Sequence, residues 1–212
     1  SLVTIGFGMG NYNDVLMERL ADGGDGSYHY VNQFEEARRP FPEDLTATLE
    51  VIAYDAKIQV EFNPETVARY RLIGYENRAI ADEDFRNDSV DAGEVGAGMS
   101  ATALYEVELL PGAEGWIARA NLRWQDADTR EVREIAGDIY TRNLATPFFD
   151  TDPHFQLTTA AAAFAEVLRA SPYVDATYSE IAEYAGRAAN GMPENGQARE
   201  LADLIWQAAR IS

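Results

Sequence analysis

The feature of this sequence that most constrains its fold is a change in the spacing of its apolar residues. Between about residues 55 and 141, apolar and polar residues alternate, as in the run Lys57–Phe62, where every second residue from Ile58 is apolar. Such alternation is typical of strands that bury one face. Before and after this region, apolar residues recur every three or four positions, which is typical of helices. The order of these regions predicts an α+β chain.

The first region, residues 2–31, is predicted to form a strand, a helix and a second strand. Leu2–Phe7 is a short apolar run, and Ser27–Val31 is rich in β-prone aromatic residues. Between them, Asn13 is placed to cap a helix, which the pair Gly23-Gly24 would end. Two further short helices are predicted over residues 32–39 and 43–52.

The alternating region predicts several antiparallel strands joined by turns. Strands that each carry one apolar face predict an antiparallel β-sandwich. The same alternation places Lys57 on the solvent face of its strand, and Trp116 and Trp124 on the buried face of theirs. The strand candidates are Lys57–Phe62, Val67–Ile73, Ala101–Leu109, Trp116–Gln125 and Arg130–Ala136.

The last region, from Asp152, predicts three helices that form a C-terminal helical bundle. Asp152 is followed by proline, a pairing that is typical of a helix cap and the first helical position. Thr177 and Glu180 have the spacing of a capping box at the start of the next helix. The final helix carries apolar residues at helical spacing, among them Leu204 and Ile205.

The composition excludes several classes of protein. Among 212 residues, 36 acidic side chains face 17 basic ones, and the net charge is -19. This field repels phosphate backbones, so we expect no nucleic-acid partner. No apolar run approaches the roughly 18 residues that a membrane helix needs, so we expect no membrane span. The sequence contains no cysteine, which excludes thiolate nucleophiles, zinc–thiolate sites and disulfides.

The motifs that suggest catalysis or cofactor binding are incomplete. The glycines within residues 6–10 resemble a dinucleotide-binding turn, but Asn11 stands where the fingerprint needs its third glycine. Asp150 and Asp152 form a D-x-D pair that lacks the later lysine and acids of the phosphotransferases that use it. We therefore expect no catalytic residue, no cofactor-binding residue and no enzymatic activity. A carboxylate pair assembled only by folding leaves a cryptic hydrolase open as an alternative.

An acidic stretch over residues 82–94 is the candidate for a cation site. Asp82, Asp84, Asp88 and Asp91 carry the oxygen ligands that calcium prefers. Aligned as an EF-hand loop, however, the stretch has unsuitable residues at the fifth, sixth and twelfth positions. We favour a solvated loop that is partly paired with nearby arginines. A cation-modulated binding domain that uses this loop stays open as the alternative.

Longer stretches of the chain resemble known families. Val3–Asp14 together with Gly26–Tyr28 resembles the closing strand, helix and strand of a von Willebrand factor A domain. Lys57–Pro64, Tyr70–Arg78 and Asp91–Gly98 resemble the YfbK-type bacterial proteins. In those proteins, an A domain is followed by a C-terminal domain of uncharacterised function.

The resemblance implies a division into three segments. Residues 1–54 would be the end of an A domain with a Rossmann-like fold, residues 55–145 the β-sandwich and residues 146–212 the helical bundle. Von Willebrand A domains bind a divalent cation through residues upstream of the part that this chain matches. The resemblance therefore implies no metal and no cofactor in this chain, and a divalent cation in the upstream part of the A domain.

These observations together predict a non-enzymatic interaction or scaffold module. Its protein partner is not named by the sequence. The resemblance implies a periplasmic or envelope location, with the cytoplasm left open. The strand Leu2–Phe7 would present an open edge, so we also expect that two copies can form a homodimer through it.

Overall fold

The computed structural model describes residues 4–7, 13–24, 28–31, 50–74, 80–90, 92–144 and 147–211. Within these ranges the chain is a mixed α/β protein with four α-helices, two antiparallel sheets and one parallel pair of strands. The strands are β1 (Thr4–Phe7), β2 (Tyr28–Val31), β3 (Val51–Phe62), β4 (Val67–Ile73), β5 (Gly93–Gly96), β6 (Leu104–Leu109), β7 (Trp116–Asp126) and β8 (Val132–Tyr140). The α-helices are α1 (Asp14–Asp22), α2 (Pro153–Leu168), α3 (Tyr178–Asn190) and α4 (Gly196–Ile211).

The chain divides into two compact units. The first comprises residues 1–64, 78–102 and 116–139, and the second comprises residues 65–77, 103–115 and 140–212. This division crosses the predicted segment boundaries, because β4 and β6 group with the C-terminal helices. The two antiparallel sheets belong to different units, and the sandwich stays a prediction.

The first unit begins with the predicted strand, helix and strand. β1 pairs with β2 in parallel, with Thr4 opposite Tyr28. The Asn13 side chain caps α1 by accepting a hydrogen bond from the Leu16 N–H at 3.1 Å. Glycine follows α1 at residue 23, as expected. Homodimerisation through the edge of β1 stays a prediction.

The two short helices predicted after β2 have different outcomes. Residues 32–39 lie outside the described residues, as do residues 43–49 of the second helix. The predicted end of that second helix is wrong, because Val51 and Ile52 already belong to β3. Both residues are β-branched, which favours the extended backbone of a strand.

A four-stranded sheet in the order β5-β3-β7-β8 dominates the first unit. β3 and β7 are antiparallel, with Ile58 opposite Leu122. β7 continues into β8 through a hairpin, in which the Asp126 N–H donates to the Glu131 carbonyl at 2.9 Å. The register shifts near Asp55, whose positive φ of 49° is typical of a bulge.

The alternation along β3 and β7 is confirmed, but the predicted faces are wrong. Lys57, expected in solvent, is only 4% exposed, whereas its neighbour Ile58 is 55% exposed. Trp116, expected in the core, is 37% exposed, and Trp124 is half-buried. The physical reason is that a distant segment of the chain covers the polar face of the sheet.

In the second unit, β4 and β6 pair antiparallel, with Arg71 opposite Glu106. The helices α2, α3 and α4 share an apolar core, in which Ile181 and Ile205 are fully buried. Leu204, predicted on the same apolar stripe as Ile205, is 52% exposed. None of the described helices combines the length and the apolar character needed to cross a membrane.

Two helices of the second unit begin at the capping residues that the sequence predicts. The Asp152 carboxylate caps α2 by accepting a hydrogen bond from the His154 N–H at 2.8 Å. Thr177 and Glu180 form the predicted capping box of α3. Asp152 is thus engaged in a structural contact, as expected from the proline that follows it.

Candidate functional site

Polar side chains of β3, β7 and β8 share one face of the four-stranded sheet. Lys57 lies opposite Arg123, and Gln59 lies opposite Asn121. Glu134 of β8 reaches the same face, since its Oε2 lies 3.6 Å from Arg123 Nη1. Lys57 and Asn121 are buried although both are strongly polar. Buried groups of this kind need hydrogen-bond partners.

The segment 80–90, which we call the acidic strap, lies on this polar face. Lys57 Nζ donates to the main-chain oxygen of Asn87 at 2.7 Å. Phe85 of the strap is also buried, at 5% exposure. The strap therefore covers the sheet face that the sequence pattern predicted to be exposed to solvent.

Two arginines tie the acidic strap to the sheet. Arg86 donates twice to Glu134, at 2.7 and 3.2 Å, and Arg123 donates to Asp88 at 2.7 Å. The hydrogen bonds from Arg86 hold the pKa of Glu134 below its usual value. The same pairing raises the pKa of Arg86. Charges of opposite sign thus fix the position of an otherwise acidic segment.

The cation candidates lie within or next to this strap, and Asp91 is outside the described residues. Within the described ranges, no group of three or more carboxylates or histidines is placed to hold a metal ion. The other three carboxylates each accept a hydrogen bond: Asp82 from Gln59 at 3.3 Å, Asp84 from Asn87 at 2.9 Å, and Asp88 from Arg123 at 2.7 Å.

Calcium is expected to leave the melting temperature unchanged at concentrations up to about 1 mM, the range in which extracellular calcium modules fill. The reason is that a cation would have to displace Arg123 from Asp88. A ligand that binds only the folded chain must raise the melting temperature. Differential scanning fluorimetry with calcium, and with magnesium as the comparison, measures this. A calcium-dependent rise that the Asp88→Asn variant abolishes would instead support the cation-modulated alternative.

A second polar cluster, in the second unit, surrounds Glu166 of α2. This residue is 2% exposed. It accepts hydrogen bonds from Arg71 Nη1 and from Ser171 Oγ, both at 2.7 Å, and it pairs with Arg169. Arg71 also pairs with Glu106 at 2.9 Å. The cluster joins α2 to β4 and β6.

The cluster keeps its carboxylate ionised in spite of burial. Burial raises the pKa of Glu166, but the hydrogen bonds from Ser171, Arg71 and Arg169 outweigh it, and the pKa is lowered. Sequence reasoning missed this cluster. The three-residue spacing of Glu166 and Arg169 could have predicted their ion pair. Nothing in the sequence indicated that the distant Arg71 would join them.

In both clusters the charged side chains are paired with one another, as in structural ion pairs. Comparison with known proteins identifies the family of the chain. Residues 47–119 and 111–211 match the family described as "Uncharacterized protein YfbK, C-terminal". The chain belongs to this family. The match confirms the resemblance to the YfbK-type proteins that the sequence carries.

The chain is also similar to a curated member of the YfbK family. It is 32% identical, over 230 residues, to "Uncharacterized protein YfbK" from Escherichia coli (strain K12). The similarity covers 97% of this chain and 39% of that protein, so the chain spans about two fifths of the length of its relative. The part that it matches is the C-terminal part.

Among solved structures, the chain is similar to the crystal structure of the ArnB paralog VWA2 from Sulfolobus acidocaldarius. The TM-score is 0.47 and the sequence identity 16%. The superposition covers 95% of this chain and 50% of that one.

Proposed function

We propose that this chain is the non-enzymatic interaction module at the C-terminus of a von Willebrand factor A protein. In this proposal the end of the A domain is followed by a β-sandwich and a helical bundle. The YfbK family match supports the proposal, because the chain corresponds to the C-terminal part of a longer relative.

One observation carries the proposal: the sheet face opposite the acidic strap is apolar and exposed. Ile58 of β3 lies opposite Leu122 of β7. The hairpin register places Ile135 of β8 on the other side of Leu122, and Ile139 lies further along the same face of β8. The exposed fractions of Ile58, Ile135 and Ile139 are 55%, 57% and 46%.

An exposed apolar surface of this kind favours binding to another protein or domain. Grouped exposed apolar side chains on a soluble protein typically mark an interaction site. The occupant that we propose is the upstream A domain of the same polypeptide. The chain spans only 39% of its curated relative, so most of such a protein lies outside it. A domain on the same polypeptide is present at a high effective concentration, which favours even a small contact area.

Three further expectations belong to the same proposal. The divalent cation would bind in the upstream part of the A domain. The location would be the periplasm or the cell envelope. Two copies would pair through the Leu2–Phe7 strand where that edge is not already occupied.

Hydroxyl-radical footprinting tests the proposed contact by comparing this chain with the full-length protein. We expect the labelling of Ile58 and Ile135 to fall several-fold in the full-length protein, because a docked domain excludes the reagent from the apolar face. Leu204 is the matched control, since it is similarly exposed but lies in the second unit. Its labelling should be the same in both proteins. Equal labelling of Ile58 and Ile135 in the two proteins would contradict the proposed contact.

A further inference from the structure

Lys57 is the single lysine of the chain, and its surroundings are unusual. The residue is 4% exposed, and its Nζ donates to the main-chain oxygen of Asn87 at 2.7 Å. Among the residues that the structure describes, no carboxylate lies within ion-pair distance of this nitrogen. Removing an ammonium group from water is costly unless a charged partner compensates it. The burial of Lys57 therefore needs another explanation.

The side chain of Asn87, the residue whose main chain accepts from Lys57, is held in one orientation. Its Nδ2 donates to Asp84 Oδ1 at 2.9 Å. Its Oδ1 accepts hydrogen bonds from the Ser89 N–H at 3.1 Å and from Ser89 Oγ at 2.6 Å. A main-chain N–H can only donate, so this contact fixes which end of the amide is the oxygen.

The two hydrogen bonds to Oδ1 would favour attack on the Asn87 amide by a nucleophile. Two donors on Oδ1 withdraw electrons from Cγ and would stabilise negative charge on the oxygen, as in an oxyanion hole. The carboxylate of Asp84 touches the nitrogen that would leave, which is the position of a proton-transfer group. A nucleophile, a carbonyl that accepts two hydrogen bonds and a proton carrier therefore occur where the strap meets β3.

The contact of Lys57 with the main chain of Asn87 limits the distance between the reacting atoms. The main-chain oxygen and Cγ of Asn87 extend from the same Cα, and covalent geometry limits their separation to about 4.5 Å. Lys57 Nζ lies 2.7 Å from that oxygen. The lysine side chain is a flexible four-carbon stem, and attack on Cγ requires rotation about its terminal bonds.

We propose that Lys57 and Asn87 become joined by an intramolecular isopeptide bond. Lys57 Nζ releases one proton to solvent and attacks Cγ of Asn87, and a new C–N bond forms while Ser89 stabilises the charge on Oδ1. Asp84 takes one proton from the attacking nitrogen and passes it to Nδ2. The bond between Cγ and Nδ2 then breaks, and ammonia leaves. No oxidant, reductant or cofactor is needed, because one amide replaces another.

The cross-link would fasten the acidic strap to β3 covalently. A chain without cysteine cannot use disulfides, and an isopeptide bond serves the same purpose by restricting the unfolded chain. The inference is independent of the proposed interaction with an upstream domain.

Intact-mass spectrometry of the folded chain tests the proposal. We expect a mass below that of the sequence by one ammonia, about 17 Da, as for any condensation that expels this group. Lys57→Arg removes the nucleophile and Asp84→Ala removes the proton carrier, so each variant should have the full mass of its own sequence. Asp82→Ala is the matched control, because Asp82 contacts Gln59 and not Asn87. That variant should retain the loss.

A succinimide at Asn87 would lose the same mass, and two measurements separate it from the cross-link. The succinimide does not consume the lysine, so it would persist in Lys57→Arg. Amine labelling in denaturant should leave Lys57 unmodified in the cross-linked chain, and protease digestion should yield one peptide pair joined through Lys57 and Asn87. A folded chain that keeps its full mass after prolonged incubation, with Lys57 open to labelling, overturns the proposal. Asp84→Ala provides the decisive variant where Lys57→Arg fails to fold.

Discussion

Replacing Glu166 with alanine is expected to lower the free energy of unfolding by about 3–5 kcal/mol, the usual effect of breaking a buried ion pair. The Glu166 carboxylate is almost fully buried and compensates Arg71 and Arg169. Its removal leaves Ser171 and one face of the Arg71 guanidinium without their acceptor. Urea denaturation, followed by the circular dichroism of the helices, measures the change.

The matched control is Glu106→Ala, which removes the other carboxylate on Arg71. The Glu106 side chain is 62% exposed, so this variant should lose no more than about 1 kcal/mol. A similar loss in both variants would show that burial of Glu166 does not decide the effect.

Acid should weaken the same contact, and the sign follows from the lowered pKa of Glu166. A carboxyl group whose pKa is lower in the folded chain stabilises that chain fully above its unfolded pKa, which is about 4.3 for glutamate. The contribution is lost as the pH falls through the lower folded value. Between about pH 5 and pH 3, the native chain should therefore lose more stability than Glu166→Gln. Parallel pH profiles would contradict the assignment.

The helix starts could be predicted from the sequence because they depend on local contacts. Asn13, Asp152 and Thr177 each cap a helix by accepting a hydrogen bond from an N–H two or three residues later. Such a bond needs only the cap residue and the adjacent helical backbone. The strand–helix–strand order of the first 31 residues follows from the same local signals.

The buried face of the four-stranded sheet could not be predicted in this way. Alternation sorts Lys57 and Ile58 onto opposite faces, but it does not state which face another segment covers. That choice depends on the acidic strap, which lies more than twenty residues further along the chain. The strap is attached by ion pairs such as Arg123 with Asp88. The spacing of apolar residues does not indicate which charged residues pair with each other.

The Glu166 cluster shows the same limit over a longer separation. Arg71 and Glu166 are 95 positions apart, and only the folding of the second unit brings them together. In the sequence, Arg71 is an ordinary polar residue of a strand and Glu166 an ordinary acid of a helix. The grouping of β4 and β6 with the C-terminal helices likewise depends on contacts between distant parts of the chain.

Ile205→Ala is expected to lower the free energy of unfolding by about 2–5 kcal/mol, the range for deleting a large buried aliphatic side chain. Ile205 is fully buried in the core that α4 shares with α2 and α3, where its neighbours include Ile181 and several alanines. Alanine side chains are too short to fill the space that the isoleucine leaves, so most of the cavity should persist. Chemical denaturation of the chain measures the loss.

The adjacent residue supplies a control that also tests the packing of the helix. Leu204 lies on α4 next to Ile205, belongs to the same predicted apolar stripe and is 52% exposed. Leu204→Ala therefore removes a similar volume but only about half as much buried surface, and helix propensity favours alanine slightly. We expect a change of about 1 kcal/mol or less. Equal losses for the two variants would mean that α4 buries both residues, and the orientation of this helix about its axis would then be wrong.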